Sequence, residues 1–373
     1  NSGSETVTFQ TTASTFNTLN VISNGDTMVD VNLTTNGVLS IDSDQDGGGA
    51  GDFKLNASAT IDTNDNHFFI STNDLDLAGS VAAGTGTVTI LVSDAGPIIL
   101  DGTLSTSSAM SSSALCVSTC GLSINGLEIQ KISAGNLIIG DSLHARLGVD
   151  GITATHTGGI TGTITLNTTN NASGGIVFGT NDSTFSGALT LNAGGGIQIG
   201  TGGMVTLTIN GLGTFDSDTN NDGSGTFQLI NSSILDTNDN NAGITAGNFD
   251  LTAGSIDAGS GNVSIGHSQA SGTIGMGAGS GTMSISVAEL TNITTTGTLT
   301  IGSTTSGDID LTTVTTGGIA NVTTVNITTG GNITFNTDSM TFFNDSKVAS
   351  ISAASGTVTV PGLTGNIGVG DAN

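Results

Sequence analysis

A block of acidic, glycine and apolar residues occurs twice in this chain, and its recurrence constrains the fold more than any other feature. Ile41-Asp-Ser-Asp-Gln-Asp-Gly-Gly-Gly-Ala-Gly-Asp-Phe53 returns as Phe215-Asp-Ser-Asp-Thr-Asn-Asn-Asp-Gly-Ser-Gly-Thr-Phe227. Asp62-Thr-Asn-Asp-Asn66 returns as Asp236-Thr-Asn-Asp-Asn240, and Leu75-Asp-Leu77 as Phe249-Asp-Leu251, all at an offset of 174. Farther on, Leu122-Ser-Ile124 with Glu128 matches Met283-Ser-Ile285 with Glu289 at an offset of 161. The first copy therefore carries an insertion, at about 105–121, which holds both cysteines. A third opening is visible: Val7-Thr-Phe9 and Ile176-Val-Phe178 are matched by Ile333-Thr-Phe335. Long tandem units of this kind stack on their neighbours rather than folding as separate globules. The division is 1–175 for the first unit, 176–331 for the second and 332–373 for the start of a third, in one continuous solenoid.

A finer pattern runs inside each unit. Val38-Leu-Ser-Ile41, Phe53-Lys-Leu55, Val88-Thr-Ile90, Ile164-Thr-Leu166 and Leu189-Thr-Leu191 place apolar side chains on alternate positions over three to five residues. That is the period of a strand with one face in a core. Clusters of Gly, Asn, Asp and Ser separate the runs and supply turns. Apolar spacing of three or four is not sustained, and candidate helix caps are followed by no helical run, so no helix is expected. The expected fold is all-β: a parallel β-solenoid, with coils of about 20 residues stacked about 4.8 Å apart into roughly 18 coils and a rod on the order of 80–90 Å long. Inward Val, Ile, Leu and Ala form a thin core, and stacked Asn and Thr form ladders. A string of β-sandwiches is the competing architecture. It is disfavoured because such domains use longer strands, more Pro and a buried Trp, and this chain has 2 Pro and no Trp or Tyr.

Composition narrows the function classes. With Lys and Arg totalling 4 and a formal charge of −26, the chain has no basic patch for phosphates, so nucleic acid is not an expected partner. It should attract divalent cations instead. No run of about 18 apolar residues is present to span a bilayer as a helix. Cys116-Val-Ser-Thr-Cys120 can close a small disulfide loop, or can hold two thiols.

The duplicated acidic blocks are the candidate metal residues. Asp42, Asp44 and Asp46, then Gly47, follow the opening of a calcium loop with oxygen ligands at alternate positions. Phe53 stands where an EF-hand has its bidentate Glu, which excludes that motif. Asp62 and Asp65 follow 20 residues after, about one coil, so Asp42 is expected over Asp62. Asp216, Asp218, Asp222, Asp236 and Asp239 repeat the arrangement. Stacked carboxylates repel unless a cation separates them, which makes calcium the candidate cofactor. Asp/Asn turns chosen for their backbone geometry are the alternative. His67, His144, His156 and His267 share no motif, and surface solvation is the expected role of all four. No catalytic residue emerges, and an enzyme is not expected.

The ordered series Asp-Ser-Asp, Gly-rich spacer, Phe-x-Leu, Asp-Thr-Asn-Asp-Asn, (Leu/Phe)-Asp-Leu and Ala-Gly-(Thr/Ser)-Gly-x-Val resembles the β-strand repeats of large bacterial surface and secreted polypeptides, in the style of filamentous-haemagglutinin-type adhesins. The resemblance covers nearly the whole chain. It implies export to the cell surface or beyond, a right-handed β-helical rod, and a role in adhesion, matrix or fibre formation. The expected function is an extracellular structural rod that self-associates by coil stacking or head to tail. An adhesin that binds a cell-surface or glycan receptor is the alternative, and a β-helix polysaccharide-degrading enzyme ranks below both.

Overall fold

The computed structural model describes residues 5–94, 96–103, 115, 121–142, 144, 146–169, 175–336 and 347–360. Cys116 and Cys120, and most of the insertion that contains them, lie outside the described residues.

Alternation at short range has become a parallel β-solenoid. Each coil lays down strands on successive faces, and every strand pairing between coils is parallel. On one face, Leu19–Ile22, Leu39–Asp42, Phe68–Thr72 and Thr87–Val92 stack in register, so that Val21, Ile41, Ile70 and Ile90 form one inward column. The column continues through Ile139, Leu166, Leu191, Phe215, Ile244, Ile265, Ile301 and Ile327 to Ile351. A second face begins with Val7–Phe9, Thr27–Val29, Asp52–Leu55 and Asp74–Leu77. A third begins with Ser14–Phe16, Leu33–Thr35, Thr60–Asp62 and Ser80–Ala82.

The coils are wider and fewer than the sequence pattern suggested. One residue meets its counterpart after 20 positions from Val21 to Ile41, but after 29 from Ile41 to Ile70. Among the described residues thirteen strands stack on the longest face, which at the ordinary spacing between strands is a stack of about 60 Å. The shorter estimate of coil size failed because some turns between faces are themselves long acidic or glycine loops.

The inward side chains are almost all fully buried, Leu39, Ile41, Phe68, Ile70, Val88 and Ile90 among them. Each such burial is worth about 1.5–3 kcal/mol against exposure. Aromatics thicken the core at equivalent places in the two units. Phe53 meets Phe68 edge-on at 6.0 Å between ring centroids. Phe227 sits between Phe215 at 5.4 Å and Phe249 at 6.0 Å. Outward amides form ladders between coils: Gln198 Nε2 donates to Gln228 Oε1 at 2.9 Å, and Gln228 Nε2 to Asp250 Oδ2 at 2.8 Å. In the first unit Lys54 holds the place of Gln228 and pairs with Asp26 at 2.7 Å and Asp52 at 3.2 Å.

Short helices interrupt the strands, contrary to the expectation of none. α1 (Gly126–Ile129), α2 (Ala154–Thr157) and α3 (Val287–Thr291) are single turns, each opened by a reciprocal capping box. The caps are Asn125 with Glu128, Thr153 with His156, and Ser286 with Glu289. One turn is too short to show helical periodicity, so only the cap spacing betrays these helices in sequence.

α1 and α3 follow a local reversal of coil order. Ile98–Asp101 pairs with Leu122–Asn125 on one side and with Arg146–Asp150 on the other. Leu122–Asn125 also contacts Asp74–Leu77. The later strand is thus tucked beneath the earlier one. The second unit repeats the arrangement, with Met283–Ile285 between Asn248–Asp250 and Ile274–Gly277. Among the described residues no helix is long and apolar enough to cross a membrane.

Candidate functional site: the paired acidic turns

The acidic blocks form the same corner in both units. In the first, Asp44 is buried at 1% exposure and its carboxylate gathers the loop around it. Gly48 N–H donates to Oδ1 at 3.1 Å, and Gly49 N–H to Oδ2 at 2.9 Å. The Ser93 hydroxyl, from a later coil, donates to Oδ2 at 2.7 Å. In the second unit Asp218 is fully buried and receives Gly223 N–H on Oδ2 at 2.8 Å and the Ser268 hydroxyl on the same oxygen. A glycine ends each loop for a steric reason: a Cβ on Gly51 would lie 1.5 Å from the Ser43 carbonyl oxygen, and one on Gly225 would lie 1.8 Å from that of Ser217.

Asp42 and Asp216 cap their own turns, each accepting the backbone N–H two residues on, at 3.4 and 3.1 Å. Burial pushes both carboxyls above the usual carboxylate range, and the charges of Asp44 and Asp218 push the same way. Asp46 accepts Gly48 N–H at 3.2 Å. Asp222 is exposed and accepts from Ser224 N at 2.8 Å, from the Ser224 hydroxyl, and from Asn220 Nδ2 at 2.8 Å. Those hydrogen bonds hold its carboxyl below the ordinary range.

The expected stack of Asp42 over Asp62 does not form. Asp42 is in register with Ile22 and Ser71, whereas Asp62 is in register with Thr34 and Ala82 on another face. Asp216 and Asp236 are separated likewise, the first beside Asn192 and Thr245, the second beside Thr208 and Asp257. Twenty residues is less than the coil length at this corner, so the two blocks fall at successive corners of one circuit.

Asp62, Asp65, Asp236 and Asp239 build ordinary tight turns. Asn64 N–H donates to Asp62 Oδ1 at 2.9 Å, and Asn238 N–H to Asp236 Oδ1 at 2.8 Å. Asp65 and Asp239 have left-handed backbones, with φ of 64° and 66°. Each reaches the next coil, Asp65 accepting Thr85 N–H at 2.8 Å and Asp239 accepting Ser260 N–H at 2.7 Å. Among the described residues no three of His, Cys, Asp and Glu converge to hold a metal by those groups alone.

The histidines divide, which corrects the expectation that all four are solvated. His67 is exposed and accepts Thr87 N–H at 3.1 Å. His156 is half-buried and helps cap α2. His144 and His267 are buried. His267 continues the inward alternation of Val263 and Ile265, which is why it is buried. Burial lowers the pKa of both rings below the ordinary value, and nearby Asp residues oppose the shift.

Sequence reasoning matched Glu128 with Glu289 but gave them no role. Both are buried staples of the coil reversal. Glu128 Oε2 accepts Asn125 N–H at 2.8 Å, while Oε1 accepts Leu77 N–H at 3.4 Å. Burial pushes its carboxyl up to about 7, and Asp74 and Asp76 add to the rise. Asp74 is itself pushed up to about 6, by burial first and by Asp52 and Asp76 as well. The signal was present as Asn-x-x-Glu and Ser-x-x-Glu, the spacing of a capping box.

An open groove of about 590 Å³ is lined by small hydroxyl and glycine residues that include Ser271, Thr305, Ser306 and Gly330. It gathers no general acid and base pair; Asp308 is its one ionisable group. Comparisons with protein-family models, curated proteins and solved structures returned no match.

Proposed function

We propose that this chain is a segment of an extracellular structural rod, a shaft that extends or spaces a surface or fibre protein and associates through its end coils. The observation that supports this reading is continuity. Parallel pairing runs from Val7–Phe9 to Val358–Thr359, and one core cluster extends through both repeat units. Repetition of a coil adds length and outward polar surface, which is the property a shaft needs. A core of this kind has no natural stopping point. Val7, Phe9, Phe16 and Leu19 at one end, and Val348, Ile351 and Val358 at the other, are only partly buried against it. Partly buried apolar positions of this kind, beside strand edges, are a surface on which a second copy can stack. The duplicated units and the weak endowment of ionisable groups fit a structural role rather than an enzymatic one.

Small-angle scattering and negative-stain electron microscopy test the proposal. The expected outcome is a particle elongated along the stacking axis, with end-to-end association that grows with concentration. A monomer at all concentrations that binds cells or glycans saturably would replace the shaft reading with the adhesin one.

A further inference from the structure

The two acidic corners share a backbone but not a hydrogen-bond balance. In the first unit both oxygens of Asp44 are satisfied, Oδ1 by Gly48 N–H and Oδ2 by Gly49 N–H and the Ser93 hydroxyl. In the second unit Asp222 replaces Gly48 in the repeat. Asp218 keeps the two donors to Oδ2, Gly223 N–H and the Ser268 hydroxyl. Its Oδ1 is buried with no hydrogen-bond donor. The next two residues are in the same condition: Thr219 Oγ1 and Asn220 Oδ1 are buried and unpartnered. The Asn220 amide is oriented by its Nδ2, which donates to Asp222 Oδ2 at 2.8 Å.

Buried oxygens without partners in three consecutive residues are each destabilising, because the lost water is not replaced. A buried carboxylate also needs a compensating positive charge or a full set of donors. The salt bridges formed by described residues include none to Asp218. A hard cation beside Asp218 would satisfy its open oxygen and its charge together, and Thr219 Oγ1 and Asn220 Oδ1 are the neighbouring oxygens without partners. The donors are a carboxylate, a hydroxyl and an amide oxygen, with the Asp222 carboxylate at the mouth of the loop. An all-oxygen set of this kind is the ligand chemistry of calcium. Its dependence on a hydroxyl and an amide explains why carboxylates and imidazoles alone do not converge here.

We propose that the Asp218–Asp222 turn of the second unit binds calcium, and that the matching turn of the first unit, closed by its own glycine N–H groups, does not. The inference is independent of the rod reading, because binding is a property of the unassociated chain.

Calorimetric titration of the full chain with calcium chloride, after chelator treatment, tests it. The expected result is about one site per chain, with a Kd on the order of 10⁻⁴–10⁻³ M, the range of weakly charged extracellular sites. Asn220→Ala combined with Asp222→Ala leaves the Gly223 and Ser268 bonds of Asp218 in place and is expected to weaken binding at least about tenfold. Thr219→Val, nearly isosteric, is expected to weaken it to a smaller degree. Asp46→Ala in the first unit is expected to leave the titration unchanged. Absence of binding at about 10 mM calcium, well above that range, would overturn the proposal. So would binding that survives the double substitution in a chain with an unaltered circular dichroism spectrum, or binding abolished by Asp46→Ala.

Discussion

Leu251 and Glu289 are 38 positions apart, yet the Leu251 N–H donates to Glu289 Oε1 at 2.9 Å. The other oxygen accepts Ser286 N–H at 2.7 Å. One carboxylate therefore ties a strand end to the cap of α3 across the reversed coil. Glu128 does the same for Leu77 and Asn125 in the first unit.

Removal of that staple should loosen the reversal rather than a single side chain. Glu289→Ala leaves two backbone donors unanswered, and loss of the cap and of these bonds should cost about 2–4 kcal/mol. Chemical denaturation followed by circular dichroism is the appropriate measurement, since the chain has no Trp or Tyr. An unchanged midpoint and slope would show that the staple contributes nothing.

The first unit should respond to pH. Glu128 has a folded-state pKa raised from 4.5 to about 7, and Asp74 from 3.8 to about 6. A carboxyl with a raised folded pKa binds more protons folded than unfolded. Its contribution is full below the unfolded pKa and is lost as pH rises through the folded one. Stability should therefore fall between about pH 4.5 and pH 7 on account of Glu128, by at most about 3 kcal/mol. Glu128→Gln should flatten that fall. In the second unit Asn248 occupies the position of Asp74 and accepts Ser284 N–H at 3.3 Å without a charge. Asp74→Asn should therefore also reduce the pH dependence, and an unaltered profile in both variants would refute this account.

Phe227 should be the most expensive core side chain to truncate in the second unit. It is fully buried between Phe215 and Phe249. Phe227→Ala should cost about 3–5 kcal/mol, measured by the same denaturation. Thr226→Ala, a half-buried neighbour on the same strand, serves as the control and should cost much less.

Gly225→Ala tests the acidic corner by another route. The added methyl would lie 1.8 Å from the Ser217 carbonyl oxygen, so the loop must shift away from Asp218. A loss of about 1–3 kcal/mol is expected, together with weakened calcium binding. Gly203, where an added Cβ meets nothing within 4 Å, should accept the same change with little effect on either.

Much of the architecture was legible in the residues alone. Val88-Thr-Ile90 and Leu189-Thr-Leu191 announce strands because a pleated chain sends alternate side chains to opposite faces. The offset of 174 announces stacking, because each copy repeats the pattern that its neighbour covers. The acidic corner was legible as a unit, since Asp44 and Asp218 take the same buried place.

The tertiary structure decided what depends on the path between strands. Coil length was not legible, because a turn of glycine and asparagine carries no mark of the face at which the next strand arrives. Asp42 and Asp62 were therefore expected to stack, and they lie at different corners. Reversal of coil order at Leu122–Asn125 and Met283–Ile285 leaves no local pattern, because a strand reads the same whichever neighbour it pairs with. Only the packed chain shows that Glu128 and Glu289 lock that reversal, and that Asp218 lacks the donor that Asp44 has. Hydrogen bonding between residues some 20 to 50 positions apart is a property of the fold, and the balance of buried donors and acceptors is settled only there.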